Sequence, residues 1–125
     1  MRHARLTRRR FAALAFGLGA ASARGSPEAR LILLERRDCP WCRLWLRDVG
    51  ERAWNASDLG RRAPLRRVDV AAGLPEDLQF LSDWRLTPTF VLVKGGREIG
   101  RILGYAGADF FWQQAEALLS RLGDD

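Results

Sequence analysis

Only two cysteines occur in the 125 residues, and they stand as Cys39-Pro40-Trp41-Cys42. Two thiols at this spacing form an internal disulfide that closes a very small loop. Such a loop removes little chain entropy, so the bond stabilises weakly, and its chemistry matters more than its bracing. The useful chemistry is thiol–disulfide exchange. One thiolate attacks a sulfur and a second thiol resolves the mixed disulfide. A structural zinc site needs four ligands, commonly two such cysteine pairs. Here there is one pair, and the single histidine, His3, lies far away near the start of the chain. No metal site is therefore assigned. Two thiolates holding Cu(I) stay open as a different kind of use.

For exchange, one cysteine must be the attacker. The elements around the motif supply the asymmetry. Leu31-Ile32-Leu33-Leu34 is a continuous apolar run, as in a strand buried on both faces. Arg36-Arg37-Asp38 makes a loop, and a helix is predicted from about Cys39 to Ala56. Cys42, Trp45, Leu46, Val49 and Ala53 share one face of it, and Arg43, Arg47 and Glu51 the other. Pro40 falls in the first turn, where its missing N–H has no helical partner to lose. Cys39 thus begins the helix, where unpaired backbone N–H groups and the helix dipole favour a thiolate. Cys42 sits one turn inside. Cys39 is the expected nucleophile and Cys42 the resolving thiol. Glu35 and Asp38 would raise the thiol pKa, whereas Arg36, Arg37 and Arg43 would lower it, so the net sign is open.

The rest of the chain reads as one domain. A polar loop is expected over 55–63 and a second strand over Leu65–Val70. A short helix is expected over Pro75–Trp84, and a strand over Thr89–Val93. Gly95-Gly96 supplies the positive φ angles of a two-residue hairpin into a strand over Glu98–Leu103. Asp109 is a plausible N-cap for a last helix, Phe110–Leu122, with Phe111, Ala115, Leu118, Leu119 and Leu122 as its apolar stripe. The order is βαβαββα, an α/β fold with a central mixed four-stranded sheet flanked by helices. The helical links between the first three strands favour parallel crossovers. Trp45, Trp84 and Trp112 are assigned to packing.

The net charge of +6 invites a nucleic-acid reading, but its distribution argues against one. Residues 1–23 hold five arginines and no acid. Taking those from 21 basic residues leaves 16 against 15 acidic, close to neutral. Arg36-Arg37, Arg61-Arg62 and Arg66-Arg67 leave room only for a local anion-attracting patch. The basic start, the short apolar run Phe11–Ala21 and Ala21-Ser22-Ala23 have the order of a cleavable export signal. The run is shorter than the roughly 20 residues needed to span a bilayer. Thr7-Arg8-Arg9-Arg10-Phe11 is compatible with twin-arginine export as well as the general route. The expected organisation is a signal peptide over 1–23, a short lead-in over 24–29 and the domain over 30–125, in a periplasmic, non-membrane-embedded product.

Taken together, the strand–Cys39-Pro40-Trp41-Cys42–helix unit, the Thr87-Pro88 pair and the following Gly95-Gly96 hairpin resemble the thioredoxin superfamily across nearly all of 30–122. Further segments resemble the SoxS-type periplasmic thioredoxins of bacterial sulfur-oxidation systems. They are Leu34-Glu35, Gly60-Arg61-Arg62-Ala63-Pro64-Leu65, Thr87-Pro88-Thr89-Phe90-Val91-Leu92, Gly104-Tyr105 and Asp109-Phe110-Phe111-Trp112. The resemblance implies a thioredoxin-like fold and a cis-Pro88 facing the dithiol, with Thr87 presenting its backbone to a partner segment. It implies a redox-active Cys39–Cys42 disulfide as the sole redox group, with no other cofactor. The implied partners are a protein disulfide or persulfide, that of a sulfur-carrier protein included, and a membrane thiol transporter as electron donor. A monomer is expected.

Two departures from typical thioredoxins bear on mechanism. Asp38 stands where a Trp precedes the first cysteine, and the buried acid of the first central strand is replaced near Leu33 by an apolar residue. Glu35 is the nearest carboxylate on the chain. Cys-Pro-Trp-Cys is closer to the Cys-Pro-Tyr-Cys of glutaredoxins, implying a potential of about −200 to −230 mV. A reductase is the leading reading. A periplasmic oxidase or glutaredoxin-like protein uses the same residues, and a copper-binding or regulatory module would use them passively. Trp41 is expected to be exposed, as a docking contact.

Overall fold

The computed structural model describes residues 28–123. The expected signal peptide and most of the lead-in lie outside the described residues.

Strand β1 (Arg30–Glu35) is central. β2 (Leu65–Asp69) pairs with it in parallel, β3 (Thr89–Lys94) antiparallel, and β4 (Arg97–Leu103) pairs antiparallel with β3, for an order β2-β1-β3-β4. Side chains alternate along a strand, and β1 supplies both cores by this alternation. Leu31 and Leu33 join Trp45, Trp54, Phe90, Leu92 and Phe111 on one face, while Ile32 and Leu34 join Val68, Val91, Leu78 and Leu81 on the other. The Gly95-Gly96 turn has φ of 60° and 74°, as its two-residue hairpin requires.

The helix expected over 39–56 is two helices, α1 (Pro40–Asp48) and α2 (Gly50–Ala56). Gly50 at φ 79° breaks the run, a backbone geometry that glycine adopts without steric cost. The break resets the phase. Trp54 is fully buried and Ala53 faces solvent, the reverse of a single continuous helix. The expected loop over 55–63 holds α3 (Asp58–Arg62), whose N-cap Ser57 accepts from the Gly60 N–H at 3.0 Å. Gly60 is forced by packing, because a Cβ there would meet the Trp54 carbonyl.

The helix expected over 75–84 is only one 3-10 turn, Glu76–Leu78. Asp83 has φ 48°, outside the helical region, so a helix cannot run on to Trp84, and the carbonyls of Ser82 and Asp83 accept from Arg101 of β4. The chain between β2 and β3 does not cross the sheet either. Asp69 ends β2 beside Glu35, and Thr89 starts β3 beside Leu34, at the same end. β3 is therefore antiparallel to β1, and only the β1–β2 crossover is parallel. The last helix, α4 (Ala108–Leu119), is capped by Gly107 and not by Asp109. Asp109 lies in the first turn, where its charge still complements the dipole.

Phe111 on α4 is the centre of an aromatic cluster. Its ring lies 4.9 Å from Phe90, 5.5 Å from Trp45, 5.8 Å from Trp54 and 5.7 Å from Trp112. Trp54 donates Nε1–H to the Ala63 carbonyl at 2.8 Å. The Trp45 Nε1–H is buried without a partner among the described residues.

Tyr105, in the loop after β4, donates to Asp48 Oδ2 at 2.7 Å and ties that loop to the end of α1. Burial, then the bond to Asp48, pushes the phenol up to about 12 from its ordinary 10.0. Asp48 is held below its usual range by the same bond and by Arg47. The sign follows from linkage. The Tyr105 contribution to stability is complete below pH 10 and is lost as pH rises through about 12, and the Asp48 contribution is lost on acidification below its usual carboxylate range. Tyr105 is the sole tyrosine, so the phenolate absorbance reads it alone. The alkaline midpoint is expected near 12 in the folded protein and near 10 in denaturant. Asp48→Asn should lower it only part of the way, because burial remains. A folded midpoint at 10 would remove the assignment.

Candidate active site

β1 delivers the chain directly into the dithiol. After Glu35 a tight turn closes with the Cys39 N–H on the Arg36 carbonyl at 3.3 Å. Cys39 is the N-cap of α1, with φ −98° and ψ 108°, and Pro40 follows as the first helical residue. The Cys39 Sγ accepts from the Cys42 N–H at 3.1 Å, and the Cys39 carbonyl accepts from the Arg43 N–H at 3.2 Å. The sulfur therefore occupies the place of a capping oxygen. A thiolate there meets a backbone donor and the positive end of the dipole, which favours the ionised form. No acidic residue lies in the first turn of α1 to oppose it. Cys39 and Cys42 form a disulfide with Cα atoms 5.3 Å apart. Cys39 is 6% exposed and Cys42 1%, so Cys39 is the more accessible of the pair.

The five charged flanking residues differ in placement. Asp38 and Arg37 face solvent, and Arg36 reaches Asp38 at 3.6 Å. Arg43 donates to the Arg37 carbonyl at 2.7 Å, which braces the turn ahead of Cys39. Glu35 is buried, and both its oxygens are taken by Arg67, at 2.6 and 3.2 Å. It lies on the same face of β1 as Leu33, which is fully buried among apolar side chains. Arg67 was not singled out from the sequence. Its position opposite Leu33 in the β1–β2 register puts it diagonal to Glu35.

The Thr87–Pro88 peptide bond is cis, and Pro88 is buried immediately before β3. Because Thr89 pairs with Leu34, this loop stands beside the end of β1 that leads to Cys39. Its carbonyls are anchored on both sides. The Thr89 hydroxyl donates to Leu86 O at 2.7 Å, and the Gly104 N–H donates to Pro88 O at 2.7 Å. The backbone of Thr87 between them has no hydrogen bond among the described residues. Trp41, 57% exposed, stands between the cysteines. Leu86 and Leu103 are also exposed and were missed from the sequence. Ile102 and Leu103 are consecutive in a strand, so one of them must face away from the core, and that signal was available.

Among the described residues no group of three or more potential metal ligands comes together. No helix there is long and apolar enough to cross a membrane. The arrangement is suited to two-electron exchange between Cys39–Cys42 and a sulfur presented in the space beside Thr87.

No family profile matches the chain, and no curated protein matches it. Solved structures do. The crystal structure of the periplasmic thioredoxin SoxS from Paracoccus pantotrophus in its reduced form is similar, at 36% identity and a TM-score of 0.70, over 76% of this chain and 99% of that one. A Malassezia sympodialis thioredoxin matches with a TM-score of 0.58 at 19% identity, over 74% of this chain and 76% of its own. A Thermus thermophilus thioredoxin matches with a TM-score of 0.55 at 22% identity, over 85% and 83%. The last two show the fold alone.

Proposed function

This chain belongs to the thioredoxin superfamily, is SoxS-like and is a thiol–disulfide oxidoreductase, and on that premise we propose that it is a periplasmic reductase of a partner protein's disulfide or persulfide. The sulfur-carrier protein of a sulfur-oxidation system is the partner we favour. The observation that carries the direction of attack is Cys39 as N-cap, its Sγ on the Cys42 N–H at 3.1 Å. The Cys39 thiolate attacks the partner sulfur, forms a mixed disulfide and expels the partner's other sulfur as a thiolate. The expelled partner thiolate takes the Cys42 proton, and the Cys42 thiolate attacks Cys39 Sγ, breaking the Cys39–partner bond and releasing the partner's second sulfur as a thiolate. The partner leaves with two electrons and the internal disulfide closes. A membrane thiol transporter then returns two electrons and two protons, and no cofactor beyond the Cys39–Cys42 pair takes part. The protein works as a monomer after removal of residues 1–23.

Trapping tests this reading. With Cys42→Ser expressed in the native periplasm, the resolving step is absent and the partner stays bound to Cys39. The expected catch is a sulfur-carrier protein joined through its reactive cysteine. A catch made of unfolded secretory proteins, with a reduction potential close to about −120 mV, would assign an oxidase instead. A mature N-terminus at Met1 would remove the periplasmic placement.

A further inference from the structure

Residues 28–123 carry 15 basic and 13 acidic side chains, a net charge of +2. Setting aside Arg36, Arg37, Arg43 and Asp38 leaves 12 of each. The whole excess therefore lies within four residues of Cys39. It is close in space as well. The Cys39 N–H closes the tight turn on the Arg36 carbonyl at 3.3 Å, and the Arg43 N–H lies on the Cys39 carbonyl at 3.2 Å. Two or three residues of chain on one side, and one helical turn of about 5.4 Å on the other, put all three arginine backbones within roughly 10 Å of the nucleophile.

These cations are also less neutralised than the others. Arg47, Arg61, Arg66, Arg67 and Arg101 each hold a carboxylate at 2.9 Å or less. Arg37 is exposed, and its side chain has no partner among the described residues. Arg43 donates to the Arg37 carbonyl, which is neutral, and so keeps its charge. Arg36 meets only Asp38, at 3.6 Å, with the Asp38 side chain 83% exposed. A pair so open to water is worth little. The remaining charges at this end of the sheet offset one another. Glu35 is matched by Arg67, and Asp69, which ends β2 beside Glu35, is balanced by Arg85, two residues before Thr87. Positive charge left over around a reacting centre speeds encounter with anionic partners and slows it with cationic ones.

We propose that Arg36, Arg37 and Arg43 form a cationic lip around Cys39 that selects a partner segment carrying carboxylates beside its reacting cysteine. The occupant is an acidic peptide segment. The inference rests on the reductase reading above and adds a charge preference to it.

The test uses two disulfide-linked homodimers of a short end-capped peptide, identical except for Asp or Lys on each side of the cysteine. Reduced protein is mixed with an excess of each peptide and no other reductant. In each event the protein dithiol gives up two electrons and two protons and closes to its disulfide, and one peptide dimer becomes two thiols. Each second-order rate constant is divided by that of uncharged dithiothreitol on the same peptide, which removes differences between the disulfides themselves. The readout is the Asp-to-Lys ratio of these normalised constants. A partly unfolded sample or a changed thiol pKa scales both alike and leaves the ratio untouched. At low salt the wild type should give about ten. In about 1 M salt, where the screening length is about 3 Å, the ratio should approach one. Arg36→Gln with Arg37→Gln removes the local excess and should bring the low-salt ratio near one. Arg36→Glu with Arg37→Glu should invert it to about one-tenth, and Arg36→Lys with Arg37→Lys should keep it near ten, because charge and not guanidinium geometry acts here. Arg97→Glu removes the same two charges as the Gln pair, but beside the hairpin at the opposite end of the sheet, and should leave the ratio near ten. A wild-type ratio near one at low salt, a ratio that survives 1 M salt or charge reversal, or an equal fall in Arg97→Glu overturns the proposal. A wild type that reduces neither peptide at any salt overturns the reductase reading, and the lip with it.

Discussion

Cys39→Ser should lower disulfide reduction by at least about a thousandfold, and Cys42→Ser should stop the reaction at a different place. A serine hydroxyl at the N-cap keeps the capping hydrogen bond and so keeps α1. It is not ionised near neutral pH and is no nucleophile toward sulfur, so the first bond does not form. Cys42 cannot take over readily, because it is 1% exposed and one turn inside the helix. In Cys42→Ser the Cys39 thiolate still attacks, and one equivalent of leaving thiol is released in a single burst. Stopped-flow mixing with an aromatic disulfide distinguishes the two, with no burst for the first variant and one burst without turnover for the second. Cys39→Ser retaining wild-type turnover would remove Cys39 from its role.

The second large effect is on stability. Phe111→Ala should cost about 3–5 kcal/mol, the range for emptying a buried phenylalanine site. Phe111 is 1% exposed and contacts Phe90 of β3, Trp45 of α1, Trp54 of α2, Tyr105 of the loop after β4 and Trp112 of its own helix. Those rings belong to different elements and cannot all move inward together, so the cavity collapses poorly. Small domains are stable by only about 5–15 kcal/mol, so a large part of the total is removed. The melting temperature should fall on the order of 15 °C or more. Urea titration checks the energy, and a loss below about 1 kcal/mol would show that the cluster repacks around the gap. The effect reaches the active site, because Trp45 stands one turn after Cys42 and rests on Phe111. Phe111→Leu should be milder in both respects.

Local chemistry made much of this protein legible in one dimension. The dithiol, its place at a helix start and the role of Pro40 depend on neighbours in sequence, so residue types and spacing suffice. The same holds for β1, β3 and the Gly95-Gly96 hairpin, where apolar runs and a glycine pair set the backbone directly. The motifs Cys39–Cys42 and Thr87-Pro88 carried the family resemblance, and SoxS likeness was readable from the segments around them.

Tertiary structure decided the features that depend on distant partners. Gly50 is an ordinary helical lapse by propensity, but here it turns α2 so that Trp54 reaches the core and bonds Ala63. The segment after Pro75 has helical spacing, yet the chain bends at Asp83, with φ 48°, where Arg101 of β4 holds the Ser82 and Asp83 carbonyls, and only one 3-10 turn forms. Glu35 is the nearest carboxylate to the dithiol along the chain, but Arg67, 32 residues away, takes both its oxygens. The direction of β3 followed from a connection that stays at one end of the sheet. Sequence alone thus determined that the protein exchanges disulfides and that Cys39 stands ahead of Cys42 at the start of a helix, because those are properties of one turn of helix. Only the fold decided what surrounds that sulfur, because a hydrogen bond between residues far apart in sequence exists only once the chain has closed around it.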